Sequence, residues 1–195
     1  MVEKKKKSLV LISGGLDSVA ALVWMLENTD DIIHAHHINL KNYENRNISE
    51  AMALAKIGEY CKKHYRSFKY TESRMDLPGF TPYDVYVYMW YAGILSMSYT
   101  GKKKLDRVVT GTIKRVNPKD GRNQKAERIF QATADRDDIE WFMPVENMTK
   151  KQIWDSIPLK LAEFTWSCRR PTRRNGRRAP CGKCPTSKEL VGIRG

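Results

Sequence analysis

Six consecutive residues, Ser13-Gly14-Gly15-Leu16-Asp17-Ser18, combine two glycines, two hydroxyls and a carboxylate. Where such a run joins a strand to a helix, successive backbone N–H groups point inward at an anion, and the positive end of the helix dipole adds to the attraction. The glycines let the main chain approach phosphate oxygens with no Cβ in between. Ser13 and Ser18 offer hydroxyl donors, and Asp17 either ties the loop together or helps hold a magnesium ion carried by a nucleotide. The run is not a Walker A loop, because no Gly-Lys-Ser or Gly-Lys-Thr follows, and it lacks the Gly-x-Gly-x-x-Gly dinucleotide fingerprint. The plainer alternative is a Gly-Gly turn with Asp17 or Ser18 as a helix N-cap.

A second group with chemistry is thiol. Cys168 is followed after twelve residues by Cys181, which opens the knuckle Cys181-Gly182-Lys183-Cys184. Two thiolates three positions apart can grip one tetrahedral zinc ion, and a third closes most of its shell. Ser187 stands where a fourth cysteine would fit, so the alternative is a reduced, metal-free pair with Cys168 packed inside. The remaining cysteine, Cys61, reads as a small buried side chain on a helix.

These residues need a scaffold to bring them to one place. Ser8 to Ile12 is a short apolar run ending at the glycine turn, and Ser18 to Leu26 suits a buried helix. Ile32 to Ile38 reads as a second strand, Ser49 to Tyr65 as a helix, and Arg66 to Tyr70 as a weak third strand. Tyr83 to Tyr99 predicts a mostly buried helix, with Tyr83, Tyr86 and Trp90 at helical spacing in the core. Arg107 to Thr110 gives a fourth strand that ends at Gly111. A polar loop from Thr112 to Asn123 leads into a helix up to about Ala134. Glu140 to Val145 gives a fifth strand, and Thr149 caps a short helix to Ile157. Alternation of this kind predicts an α/β domain with a parallel five-strand sheet and helices on both faces. The boundaries expected are 1–160 for this domain and 161–195 for a small cysteine- and arginine-rich lobe.

The chain has 195 residues, 35 of them Lys or Arg against 22 Asp or Glu, and the formal net charge of +13 favours anionic partners. No stretch is long and apolar enough to span a membrane. Met1 to Lys7 leads into too short an apolar run for a secretory leader, so a cytoplasmic protein is expected. Arg169, Arg170, Arg173, Arg174, Arg177 and Arg178 form a basic run that would either grip a nucleic-acid backbone or sit as a solvated, mobile loop. His34 and His36 share a strand face by alternation. A metal pair there is conceivable, but a core or sheet-edge role fits better, since no carboxylate or cysteine is close in sequence.

The order Ser-Gly-Gly-x-Asp-Ser after a first strand resembles the signature of the PP-loop ATP pyrophosphatases. Within that group the chain is similar to the 7-cyano-7-deazaguanine synthases. The matching segments are Thr165-Trp166-Ser167-Cys168, then Cys181-Gly182-Lys183-Cys184, and Thr149-Lys150 shortly after Pro144. Asn42-Tyr43-Glu44-Asn45-Arg46, with Glu50 four residues on, stands where that family has Asp-Tyr-Gly-Gln-Arg. The departures are Pro78-Gly79-Phe80-Thr81 in place of Pro-Gly-Arg-Asn, no Tyr-Pro-Asp-Cys after Gly111, Ser187 in place of the last zinc cysteine, and a longer arginine-rich loop.

The resemblance implies an adenine-nucleotide α-hydrolase type of fold and an ATP-dependent carbon–nitrogen ligase of 7-deazaguanine biosynthesis. The implied partners are ATP, ammonia and 7-carboxy-7-deazaguanine, with Mg2+ and Zn2+ as cofactors. It gives catalytic parts to Asp17, Ser18 and Arg46, and nucleotide contacts to Ser13, Gly14, Gly15, Leu16, Asp17, Ser18 and Gly111. Cys168, Cys181 and Cys184 would hold the zinc, Glu50 would line the pocket beside Arg46, and either Arg46 or Lys114 would meet the carboxylate. The alternatives are a PP-loop enzyme with another acceptor, such as a nucleobase in nucleic acid, and a binding module without turnover. Homo-oligomerisation is left open.

Overall fold

The structure is a computed structural model and describes residues 4–79, 83–99, 101–113, 121–174, 177–181 and 192–193. Phe80, Thr81, Lys114, Cys184 and Ser187 lie outside the described residues. β1 (Lys7–Leu11), β2 (Ile32–Lys41), β3 (Lys69–Asp76), β4 (Arg107–Val109) and β5 (Glu140–Phe142) form one sheet in the order β3-β2-β1-β4-β5. Every pairing in it is parallel. The chain works outward from β1 in one direction and then returns to continue from its other side. The crevice at the carboxyl ends of β1 and β4 is therefore the topological switch point, where open α/β sheets place ligands.

Alternation along β1 sets the two layers. Val10 and Ile12 pack with α1 (Leu16–Asn28), α2 (Asn47–His64), α5 (Lys150–Asp155) and α6 (Leu159–Phe164). Leu9 and Leu11 pack with α3 (Asp84–Met97) and α4 (Arg122–Ala134). Cys61 is fully buried on α2, and burial pushes its thiol up to about 12, as suits a packing residue. Where α3 crosses α4, a Cβ on Gly93 would stand 2.0 Å from Thr133 Oγ1, so only glycine fits there. No helix among the described residues is long and apolar enough to cross a membrane.

Several elements differ from the sequence reading, each for a physical reason. The third strand begins at Lys69 rather than Arg66, because the Arg66 guanidinium closes the end of α1, donating to the carbonyls of Met25, Leu26, Thr29 and Asp31. Asp31 also holds the buried Arg107 at 2.6 Å, which locks β4 beside β1. α3 is less buried than its composition predicts, with Tyr83 just before it 57% exposed and Trp90 within it 43%. After the helix capped by Thr149, whose capping box with Gln152 is complete, Pro158 starts a further helix, α6, that was not expected. The arginine run, read from sequence as a backbone grip or a solvated loop, has strands among its described residues. It contains an antiparallel pair, β6 (Thr172–Arg174) with β7 (Arg177–Ala179).

Candidate nucleotide and acceptor site

A cavity of about 530 Å³ opens at the switch point. Ser13, Gly15, Leu16, Asp17, Ser18 and Gly111 line it, together with Arg46 and Glu50 from the start of α2. The first part is the turn between β1 and α1. Ser18 Oγ accepts the Ser13 N–H at 3.1 Å and donates to the Gly15 carbonyl at 2.9 Å, while Ser13 Oγ lies 3.2 Å from it. Both hydroxyls thus hold the turn in shape. The N-cap of α1 is Gly15, not Asp17 or Ser18.

Gly14 does not line the cavity. With φ at +75° it makes the left-handed bend that favours glycine, and a Cβ there would meet the Glu50 carbonyl at 3.1 Å and Leu54 Cγ at 3.2 Å. Gly111 is needed for a related reason. A Cβ on it would stand 2.3 Å from the carbonyl carbon and oxygen of Asp17 and 2.4 Å from the Ser18 nitrogen. The close approach that Gly111 permits is therefore between the end of β4 and the main chain of the turn.

Asp17 is met by Lys150 from the first turn of α5, with Nζ 2.5 Å from Oδ1 and also in contact with Oδ2. Burial raises the Asp17 carboxyl above its ordinary range, and the Lys150 ammonium opposes that rise. Lys150 lies 133 residues from Asp17 and is the main residue of this half that the motif did not disclose. Its neighbour Thr149 and the Thr149-Lys150 pair were the signal available. The pairing puts a cation and a carboxylate together where phosphates and a magnesium ion would need them. Mg2+ requires only one or two protein carboxylates beside phosphate oxygens, so Asp17 fits that part.

The second part is a charged cluster. Arg46 Nε lies 3.2 Å from Glu50 Oε1 and 3.4 Å from Glu44 Oε2, and its NH2 contacts Asp84 Oδ2. Arg169 reaches in from the C-terminal segment to Glu44 Oε1 at 2.8 Å and Asp84 Oδ2 at 3.3 Å. Burial works against the Arg46 cation, but Glu50, Asp84 and Glu44 prevail and hold it above its ordinary value. Glu50 is only 2% exposed, and burial, partly offset by Arg46, pushes its carboxyl up to about 7. Glu50 Oε2 and the Tyr88 hydroxyl are buried and have no hydrogen-bond partner among the described residues.

The C-terminal segment closes one wall. The Trp166 N–H donates to the Gly14 carbonyl at 2.8 Å, and Trp166, Ser167 and Arg169 face the cavity. Cys168 behind them is buried, and its Sγ accepts the Cys181 N–H at 3.2 Å. This contact joins Cys168 to the main chain of Cys181, not to its thiol. Among the described residues no group of three His, Cys, Asp or Glu side chains gathers to hold a metal ion, and Cys184 lies outside them. His34 and His36 do not form a metal pair, because both turn to the hydroxyl of Thr71, at 2.6 and 2.7 Å.

Comparison with known proteins gives a likeness of fold. No protein-family model matches the chain, and no curated protein does. Among solved structures it is similar to a U34-tRNA thiolase, NcsA from Methanococcus maripaludis, described with its [4Fe-4S] cluster. The identity is 12% and the TM-score 0.52, over 97% of this chain and 64% of that one. The likeness is one of fold, and the chain spans less than two thirds of that protein's length.

Proposed function

We propose that the chain is a PP-loop ATP pyrophosphatase-type enzyme that adenylates 7-carboxy-7-deazaguanine and, with ammonia, converts it to the nitrile. The observation that carries this reading is the Ser13–Ser18 turn at the switch point, opening onto one cavity lined also by the Asp17–Lys150 and Arg46–Glu50 pairs. In the first half-reaction a carboxylate oxygen of the acceptor attacks the α-phosphorus of ATP, forming an acyl adenylate and releasing pyrophosphate. Ammonia adds to the acyl carbon, loses a proton and expels AMP, leaving an amide. The amide oxygen then attacks a second ATP, pyrophosphate leaves, and loss of AMP and both amide protons gives the nitrile.

Little nucleophilic power is asked of the protein in these steps. It must hold the acceptor in line with the α-phosphorus and offset the charge of the departing pyrophosphate. The backbone of the Ser13–Ser18 turn and Lys150 do the second task, and Asp17 would hold the magnesium ion, which polarises phosphoryl oxygens when bound. Arg46 and Arg169 face the acceptor carboxylate. Glu50, with its carboxyl near neutrality, is suited to take and return the protons that the amine and amide give up. Cys168, Cys181 and Cys184 would hold a zinc ion that ties the C-terminal segment to the wall of the cavity.

The test is product analysis after incubation with ATP, magnesium, ammonium and 7-carboxy-7-deazaguanine. The reading expects the nitrile together with AMP and pyrophosphate, and no product from any 7-deazaguanine would overturn it. The fold neighbour favours a second reading, in which the adenylated acceptor is a base in tRNA. The antiparallel pair carrying Arg173, Arg174, Arg177 and Arg178 supplies the charge for that partner. Neutralising those four arginines should spare turnover of the free base under the first reading and abolish it on tRNA under the second. Elemental analysis addresses the cysteines: zinc near one per chain supports the first reading, and iron with acid-labile sulfide supports a cluster like that of the neighbour.

A further inference from the structure

His36 lines the cavity, is 4% exposed, and its Nε2 has no hydrogen-bond partner among the described residues. It sits on β2 in register with Leu11, two residues before the turn, and its carbonyl accepts the Ile12 N–H. The rest of the ring is fixed. Tyr91 stacks on it with centroids 6.1 Å apart and planes 24° from parallel, and Nδ1 lies 2.7 Å from Thr71 Oγ1. Thr71 Oγ1 is in turn 2.6 Å from His34 Nε2, and His34 Nδ1 meets the Tyr99 hydroxyl.

This chain of four groups decides which His36 nitrogen carries the proton. A phenol donates to an imidazole nitrogen more readily than it accepts from an N–H, and burial raises the Tyr99 pKa further above its ordinary value. The Tyr99 O–H therefore points at His34 Nδ1. The His34 proton then sits on Nε2 and is given to Thr71 Oγ1, leaving the threonine proton for His36 Nδ1. His36 is left with its own proton on Nε2. Burial, with His37 beside it, lowers its pKa to about 4, so the ring is uncharged at neutral pH.

An uncharged donor suits an uncharged acceptor, whereas a phosphate or carboxylate would call for a cation. The neighbouring lining, with Leu11, Ile38, Val85 and Met89, is apolar and suits the faces of a flat ring. We propose that the N–H at His36 Nε2 reads an in-plane ring nitrogen of a nitrogen heterocycle bound in the cavity. The inference rests on the nucleotide-site reading above, and the heterocycle is the adenine of ATP or the ring of the acceptor.

Binding measured by calorimetry on the full chain tests it. Wild type, His36→Phe, His36→Gln and Thr71→Val are titrated with ATP, its 1-deaza, 3-deaza and 7-deaza analogues, 7-carboxy-7-deazaguanine and that compound's 3-deaza counterpart. Wild type should bind one of the deaza compounds roughly fivefold to a hundredfold more weakly than its parent, the penalty of a buried donor left unmet. His36→Phe, which keeps the ring against Tyr91, should erase that discrimination, and His36→Gln, which keeps an N–H, should retain most of it. Thr71→Val leaves the cavity intact and frees the His36 tautomer, so it should weaken the discrimination without abolishing binding. Discrimination among the ATP analogues assigns the donor to adenine, and discrimination between the deazaguanines assigns it to the acceptor. If no analogue is discriminated, or the pattern survives His36→Phe, the proposal is wrong, while ATP binding displaced by pyrophosphate would leave the nucleotide site standing. A wild type that binds no ATP would overturn the nucleotide reading and this inference with it.

Discussion

In the turn beside the cavity six consecutive residues bond mainly to one another. In the cluster around Arg46 five charged side chains arrive from three separate stretches of chain: Glu44, Arg46 and Glu50 around the start of α2, Asp84 at the head of α3, and Arg169 near the C-terminus. The turn is held by short-range bonds such as Ser13 N–H to Ser18 Oγ. The Arg46 cluster forms only where the start of α2, the head of α3 and the C-terminal segment meet. A local site can tolerate change elsewhere, whereas a site assembled from distant parts couples function to global stability.

The sharpest way to break this contrast is Arg46→Ala. It leaves Glu44, Glu50 and Asp84 with Arg169 as their remaining charge partner, and removing one member of a buried ion cluster costs on the order of 3–5 kcal/mol. Denaturant melts should show a much less stable protein as well as loss of turnover. Asp17→Asn should do the opposite. It should lower the rate of AMP and pyrophosphate formation by roughly 10²–10³, or about 2–4 kcal/mol in the barrier. The melting temperature should stay close to wild type, because the turn keeps its internal bonds. Steady-state kinetics beside thermal melts would separate the two outcomes, and an Asp17→Asn protein that turns over normally would remove the turn from the chemistry.

Gly111→Ala probes the seam between the two halves of the sheet. Its Cβ would press on the main chain of Asp17 and Ser18, which cannot move aside as a flexible side chain could. Overpacking of about 1–3 kcal/mol is expected, seen as a melting temperature lower by several degrees, together with weaker ATP binding as the turn shifts. The gentlest test is a slope. Glu50 has its carboxyl raised from 4.5 to about 7, chiefly by burial, so between those values the folded protein holds a proton that the unfolded chain has released. Stability from this group is present below about pH 4.5 and is lost as pH rises through about 7. Glu50→Gln should therefore gain stability relative to wild type across that window and level off above it. A difference that stays flat from pH 4.5 to 7 would show that Glu50 is ionised throughout.

The same contrast explains what could be read before the fold was known. Apolar runs mark β1, β2 and β4, and Thr149 marks the start of α5. The turn at Ser13 to Ser18 was legible because all its parts are adjacent in sequence. β3 was misplaced because its residues, Lys69 to Asp76, are mostly polar at the sheet edge and give no hydrophobic signal. Lys150 was visible as part of a motif, but its contact with Asp17 was not, since nothing local ties α5 to the head of α1. The carboxylates around Arg46 and the hydrogen bond from Trp166 to Gly14 were hidden for the same reason. Helical spacing puts Trp90 and Tyr83 in the core, but spacing does not say which side of α3 meets α4.

The proposed chemistry cuts ATP between its α and β phosphates at this turn. ATP labelled at the α-phosphorus, incubated with magnesium, ammonium and 7-carboxy-7-deazaguanine, should then give label in AMP, pyrophosphate in equal amount, and suppression of both by Asp17→Asn. Label in ADP, with inorganic phosphate as the co-product, would show that the turn does not cut there.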